Sequence, residues 1–306
     1  MVSATAFGKI NLHLGVGLRQ DDGYHELATV FQSVSVSDTV SLIQQDIPGE
    51  LVTSMHTTSH VRGEVPDDPT NLAWRAVEAV AEDYQRLHGM RELPSVSIEV
   101  YKRIPIAGGM AGGSADAAAA LVVANHWLAG IYGVEALSRD ELMRIGATLG
   151  ADVPFCVHGR TALGVGRGDE LTAMMSRGTY QWALIFPQGG LSTPRVFQKF
   201  DELGIQPSLS TDAVSAALMT GNPRDLAPVL HNDLQAAALS LRPDLRTVLT
   251  VGEQAGALRG IVSGSGPTCA FLCDGDAPDV IAEVATAVPG TTGLTVEGPT
   301  GAAALN

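Results

Sequence analysis

The chain has 306 residues, 45% of them hydrophobic and 17% charged, and 19 Lys and Arg against 33 Asp and Glu leave a formal charge of −14. That apolar content excludes intrinsic disorder, and the acidic balance, with Lys102-Arg103 as the densest basic pair, excludes the basic stripe that a nucleic-acid partner requires. No stretch approaches the ~20 apolar residues of a membrane span, the N-terminus carries no basic-then-apolar leader, and three cysteines without a CxxC pair build no disulfide framework, so a cytoplasmic protein without a membrane partner is expected.

At about 100–200 residues per domain the length suits two domains. Residues 3–16 read as a strand, with Ile10, Leu12 and Leu14 alternating against Asn11 and His13, and a polar turn follows at Gln20-Asp21-Asp22-Gly23. Residues 29–42 suggest one or two further strands, and 45–69 read as irregular loop or hairpin. Helical spacing marks 71–87, with Thr70 as a candidate cap, and 96–101 alternates as a strand. An Ala-rich apolar helix is expected over 114–131 and another over 139–149, opened by Ser138 and stopped by Gly150. The glycines at 159–168 suggest a turn between strands, and a buried strand is expected over 182–186. Beyond it helices are expected at 193–200, 211–219, 233–240, 243–257 and 277–287, with strands at 259–263, 268–273 and 292–297.

Between the strand at 96–101 and the Ala-rich helix lies Pro105-Ile106-Ala107-Gly108-Gly109-Met110-Ala111-Gly112-Gly113-Ser114-Ala115-Asp116. Four glycines let a backbone approach a ligand closely, and a helix N-terminus offers unpaired N–H groups and partial positive charge. Strand, glycine loop and buried helix together make an anion site suited to a di- or triphosphate, and Ser114 can reach a phosphate oxygen or a magnesium ion. Walker A, GxGxxG and HRD/DFG patterns are all absent, which disfavours P-loop, Rossmann and protein-kinase readings.

This loop resembles the second motif of the GHMP kinases, small-molecule kinases that include the galactose, homoserine and mevalonate kinases. Gly8-Lys9-Ile10-Asn11-Leu12-His13-Leu14 is similar to the family's first motif and Ser263-Gly264-Ser265-Gly266-Pro267-Thr268 to its third, a glycine turn between strand and helix. Asp22-Gly23-Tyr24-His25-Glu26-Leu27, Gly150-Ala151-Asp152-Val153-Pro154-Phe155 and Asn232-Asp233-Leu234 resemble segments of those members that act on a cytidine-diphosphate-linked methylerythritol. The family pattern is not met at Ala6-Phe7-Gly8, where it has Ala-Pro-Ala, nor at Ala111 and Ala115, where it has glycine and a second serine.

The resemblance implies an α+β, two-domain GHMP kinase fold, with an N-terminal domain (1–178) like the second domain of ribosomal protein S5 and a ferredoxin-like C-terminal domain (179–306). It implies ATP and magnesium as cofactors, with the 105–116 loop on the triphosphate, Ser114 on the metal, and Asn71 and Lys102 on the adenosine side. Lys9 and Asp152 are implied to lie side by side as the catalytic pair, with Asp152 taking or orienting the proton of the substrate hydroxyl. Tyr24 and His25 are implied to hold the cytosine with Phe197 as the opposite wall, and Asn11 to contact the methylerythritol part or the catalytic pair. A monomer or weak homodimer is expected. Another small-molecule kinase of this fold, or a non-catalytic nucleotide sensor on it, is the alternative reading; a sensor would need neither Lys9 nor Asp152.

Overall fold

The computed structural model describes residues 1–306 except 22, 46–48, 62 and 107, so Asp22 of the turn motif and Ala107 of the glycine loop lie outside the described residues. In chain order the first part comprises β1 (Val2–Arg19), β2 (His25–Gln45), β3 (Val52–Ser59), α1 (Leu72–His88), β4 (Ser95–Lys102), α2 (Gly112–Tyr132), α3 (Arg139–Leu149), α4 (Val153–His158), β5 (Thr161–Gly166) and β6 (Glu170–Ala173). The second comprises β7 (Tyr180–Phe186), α5 (Thr193–Leu203), α6 (Asp212–Thr220), α7 (Pro223–Leu226), β8 (His231–Asn232), α8 (Gln235–Leu241), α9 (Asp244–Gln254), β9 (Arg259–Val262), β10 (Cys269–Cys273), α10 (Ala277–Ala287), β11 (Thr292–Gly298) and β12 (Ala304–Leu305).

The first sheet has the order β12-β1-β2-β4-β3, with β5 paired to β2, β6 to β5 and β8 to β1. Helices α1 and α2 cover it. Hydrophobic all round, α2 is buried through most of its length, as a helix in the middle of a layered core must be. β1 carries a one-residue irregularity between Asn11 and His13. Ile10 and Leu12 therefore enter the large core beneath α2, while Leu14 and Val16 join a separate cluster with Val196 and Phe200 of α5. The second sheet has the order β11-β7-β10-β9 with every pair antiparallel. Counted along the chain, its strands lie 4-1-3-2, the split βαβ arrangement of a ferredoxin-like unit. Among the described residues no helix is long and apolar enough to cross a membrane.

Several local expectations are corrected. Part of the stretch read as irregular, 52–59, is β3, a strand pairing parallel with β4 through the α1 crossover. Asn71, not Thr70, caps α1: its side chain accepts from the Ala73 N–H, while Thr70 donates to Asp68. The glycine-rich stretch at 159–168 is largely strand β5, and the turn is confined to its end. Ser263–Thr268 joins two strands, β9 and β10, rather than a strand and a helix. Ser138 and Glu141 form the reciprocal capping box that opens α3.

β1 is held against the second part of the chain by close approach of backbone to backbone. A Cβ at Gly15 would lie 2.0 Å from the Ser208 carbonyl oxygen, which already accepts from His13 Nε2 at 2.8 Å. Gly15→Ala is expected to cost about 2–3 kcal/mol by overpacking this contact. The urea midpoint of the variant checks it; an unchanged midpoint shows that the 205–209 segment gives way freely.

Candidate active site

Loop 105–116 is anchored from below by Ile104 and Met110, both fully buried. From one side the Lys9 N–H donates to the Met110 carbonyl at 3.2 Å. From the other, the β9–β10 turn presses on Gly109, whose φ is +76° and where a Cβ would sit 2.5 Å from the Ser263 carbonyl oxygen. Ala111, at φ 58° and ψ 36°, takes the left-handed conformation where the family pattern has glycine. No side chain caps α2, so the amides of its first turn are left to a ligand. A cavity of about 370 Å³ opens here, lined by the loop and by Pro66, Asn71, Leu72 and Lys102. Of the residues expected on the nucleotide side, Pro105, Ile106, Gly108, Gly109, Ala111, Gly112, Gly113, Asp116, Asn71 and Lys102 line it. Asn71 does so while its amide is engaged by Ala73 and Pro66. Met110 and Ala115 instead face the core.

A second cavity, of about 700 Å³, lies across the first turn of α2. Ser114 and Asp152 line one part of it, and Tyr24, His25 and Phe197 another. Asp152 occupies the N-cap position of α4, yet its carboxylate makes no capping bond. Lys9, buried in β1, donates from Nζ to Asn11 Oδ1 at 2.8 Å, and Asn11 Nδ2 donates on to Thr29 Oγ1 at 2.8 Å. Among the described residues Lys9 and Asp152, expected side by side, form no ion pair with each other; the Lys9 ammonium donates to Asn11. Both charges nevertheless act on the Cys156 thiol: burial pushes it up, Asp152 adds to that, and Lys9 opposes it. The Phe197 ring packs on His25 with centroids 5.1 Å apart. The Tyr24 ring carries the Arg167 guanidinium, 3.9 Å from its centroid.

The model of the GHMP kinases N terminal domain matches residues 71–160, and that of the GHMP kinases C terminal matches 214–290. The 4-diphosphocytidyl-2-C-methyl-D-erythritol kinase of Corynebacterium diphtheriae is 51% identical over 279 residues, covering 89% of this chain and 88% of the relative. That of Nocardia farcinica is 49% identical over 305 residues, covering 97% and 94%. The chain belongs to the GHMP kinase family. A crystal structure of 4-(cytidine 5'-diphospho)-2C-methyl-D-erythritol kinase superimposes on this GHMP kinase with a TM-score of 0.74 at 30% identity, covering 98% of this chain and all of the other. A homoserine kinase from Cytophaga hutchinsonii, 16% identical with a TM-score of 0.69, shares the fold.

Four residues at the two cavities had no signal of their own in the sequence. Arg19, Arg167 and Asp201 line the larger one. Asp38, fully buried on β2, accepts from Lys102 Nζ at 2.5 Å and from the amides of Arg103 and Ile104, at the start of the glycine loop. Lys102 also donates to Asp116 at 2.7 Å, completing a buried Asp38–Lys102–Asp116 triad. Asn232 and Asp233, singled out only by resemblance, tie the β9–β10 turn to β1. Asn232 donates to the carbonyls of Val262 and Gly264, and Asp233 accepts from the amides of Val16 and Ser208.

The triad has a titration consequence. Burial opposes the charge of Lys102, but Asp116 and Asp38 outweigh it and hold the ammonium above its ordinary value. Asp116 is pushed from 3.8 up to about 8 by burial, with Lys102 opposing and Asp38 reinforcing the rise. Its Oδ1 has no hydrogen-bond partner. A carboxyl that holds its proton more tightly when folded contributes stability below the unfolded value and loses it as pH rises through the folded one. Unfolding free energy from urea titrations is therefore expected to fall between pH 5 and 8 in the native chain, with that fall reduced in Asp116→Asn. Parallel curves for the two proteins contradict the assignment.

Proposed function

We propose that this chain transfers the γ-phosphoryl group of ATP to the 2-hydroxyl of 4-diphosphocytidyl-2-C-methyl-D-erythritol, giving the 2-phosphate and ADP, a cytoplasmic step of non-mevalonate isoprenoid precursor synthesis. The observation that carries the reading is the pair of cavities meeting across the first turn of α2. Gly112 and Gly113 line the smaller one, and the next residue, Ser114, lines the larger one beside Asp152. A triphosphate on the loop amides would thus present its terminal group toward a hydroxyl held near Asp152. Residues 1–178 would supply the loop and Asp152, and 179–306 the Phe197 wall.

Phosphoryl transfer through a loose transition state requires chiefly positioning and stabilisation of charge. In this reading the glycine-loop amides and the α2 N-terminus receive the phosphate oxygens. Asp152, whose carboxylate is not used as a cap, accepts the proton of the attacking hydroxyl or aligns it. Lys9, aimed by Asn11 and stripped of most of its water, offers a cation to the charge that develops on the transferring group. Tyr24, His25 and Phe197 receive the cytosine, an aromatic end that a kinase of a simple alcohol would not require.

Magnesium suits the donors present. The chain offers the Ser114 hydroxyl and the Asp152 carboxylate, and magnesium takes oxygen ligands, commonly one or two carboxylates completed by phosphates and water. The family's second serine is Ala115 here, fully buried, so that position supplies no hydroxyl. Bound magnesium would neutralise charge on the β- and γ-phosphate oxygens.

Coupled ADP release with ATP, magnesium and the cytidyl substrate is the test. Asp152→Ala is expected to lower kcat by about 10²–10⁴-fold, the worth of a positioned acid or base, while KM for ATP stays within a few-fold. An undiminished kcat in the variant removes Asp152 from the chemistry. Equal turnover of homoserine or mevalonate by the unaltered protein removes the cytidyl specificity.

A further inference from the structure

His25 stands at the start of β2 with 9% of its surface exposed. Phe197 packs against its ring, tilted by 32°, and Phe200 meets it edge-on with centroids 6.0 Å apart. The imidazole therefore has little freedom to rotate. Its Nε2 lies 2.8 Å from Asp201 Oδ1. Asp201 sits on α5 one helical turn beyond Phe197, so the same helix supplies a wall of the cavity and the partner of the imidazole.

An ionised carboxylate accepts hydrogen bonds and donates none. In the neutral ring the proton must then reside on Nε2, which leaves Nδ1 as a lone-pair acceptor. Among the described residues no protein group is hydrogen-bonded to Nδ1. We propose that Asp201 is a positioning residue that fixes the tautomer of His25 and so makes the larger cavity select a base with an exocyclic amine, cytosine over uracil. The proposal rests on the reading of Tyr24, His25 and Phe197 as the base site.

Stacking cannot make this distinction. Cytosine and uracil are nearly equal in size and present similar faces to an aromatic ring. They differ along one edge: cytosine carries a donating amine at position 4 and an accepting N3, uracil an accepting carbonyl at position 4 and a donating N3–H. A lone pair on Nδ1 that faces position 4 is satisfied by the amine and repelled by the carbonyl. The other charged groups lining this cavity are Arg19, Arg167 and Asp152. Whatever they contribute at the phosphate end is the same for CDP and UDP and cancels in the ratio of affinities.

The measurement is calorimetric titration of CDP and of UDP into the full chain. A non-hydrolysable ATP analogue is kept saturating, so that neither nucleotide enters the smaller cavity. The native chain is expected to favour CDP by about tenfold, the worth of one good neutral hydrogen bond set against a mismatched one. In Asp201→Asn the amide can turn its NH₂ toward Nε2, the ring proton can move to Nδ1, and the preference should fall to within about twofold of unity. Asp201→Ala, which leaves both nitrogens free to exchange the proton, should lose the preference as well. Affinity for the ATP analogue, whose cavity includes neither His25 nor Asp201, should match that of the native chain and serves as the folding control. Variants that keep the native CDP preference overturn the role of Asp201 and leave the cytidyl reading intact. A native chain that binds CDP and UDP alike overturns the base-site reading and the proposal with it.

Discussion

The structure depends on how the glycine loop is clamped. Ile104 and Met110 hold it from the core, the Lys9 amide holds it from β1, and the Ser263 carbonyl closes on Gly109 from the β9–β10 turn. Two of these contacts come from segments far away in the chain, one on each side of the loop. With its path constrained from three directions, the loop delivers the chain to α2 without a side-chain cap, and the first-turn amides stay available. Ala111 adopts a left-handed conformation to make that delivery, a strain of order 1–2 kcal/mol for a residue with a Cβ, which the surrounding contacts sustain.

Beneath the loop, the Asp38–Lys102–Asp116 triad is a second constraint. Burying Lys102 with two carboxyl groups is unfavourable unless the geometry compensates, and removing the partner of a buried charge typically costs about 3–5 kcal/mol. Here Asp38 holds Lys102 and also the amides of Arg103 and Ile104, so one side chain fixes both the cation of the smaller cavity and the first residues of the loop. Asn232 and Asp233 act comparably on the opposite wall, binding the β9–β10 turn to β1. The two sheets are thereby joined at the place where both cavities open.

Much of this was legible in the sequence where the signal is local. The run of glycines before an apolar helix, Ser138 at the start of α3 and the alternation at Ile10 and Leu12 are all written within a few residues. So were some members of the larger cavity, through resemblance to a known family: Tyr24, His25, Asp152 and Phe197, from three separate stretches, line one space. What escaped depends on distance along the chain. In the sequence Lys102 is half of the densest basic pair, with no sign of its partners; it is buried with Asp38, 64 residues away, and Asp116, 14 residues away, closing on it. Asp201 meets His25 across 176 residues. β3, a mostly polar strand, pairs with β4 only after α1 intervenes, and α4 is six residues long, too short for periodicity to register.

The central claim, that the clamped loop separates a triphosphate from the hydroxyl it phosphorylates, is tested most directly by a crystal structure with a non-hydrolysable ATP analogue and the cytidyl substrate bound together. The terminal phosphate is expected within hydrogen-bond distance of the Gly112–Ser114 amides, with the substrate hydroxyl between it and Asp152. A triphosphate lying away from those amides, or both ligands on the same side of the α2 N-terminus, would contradict it.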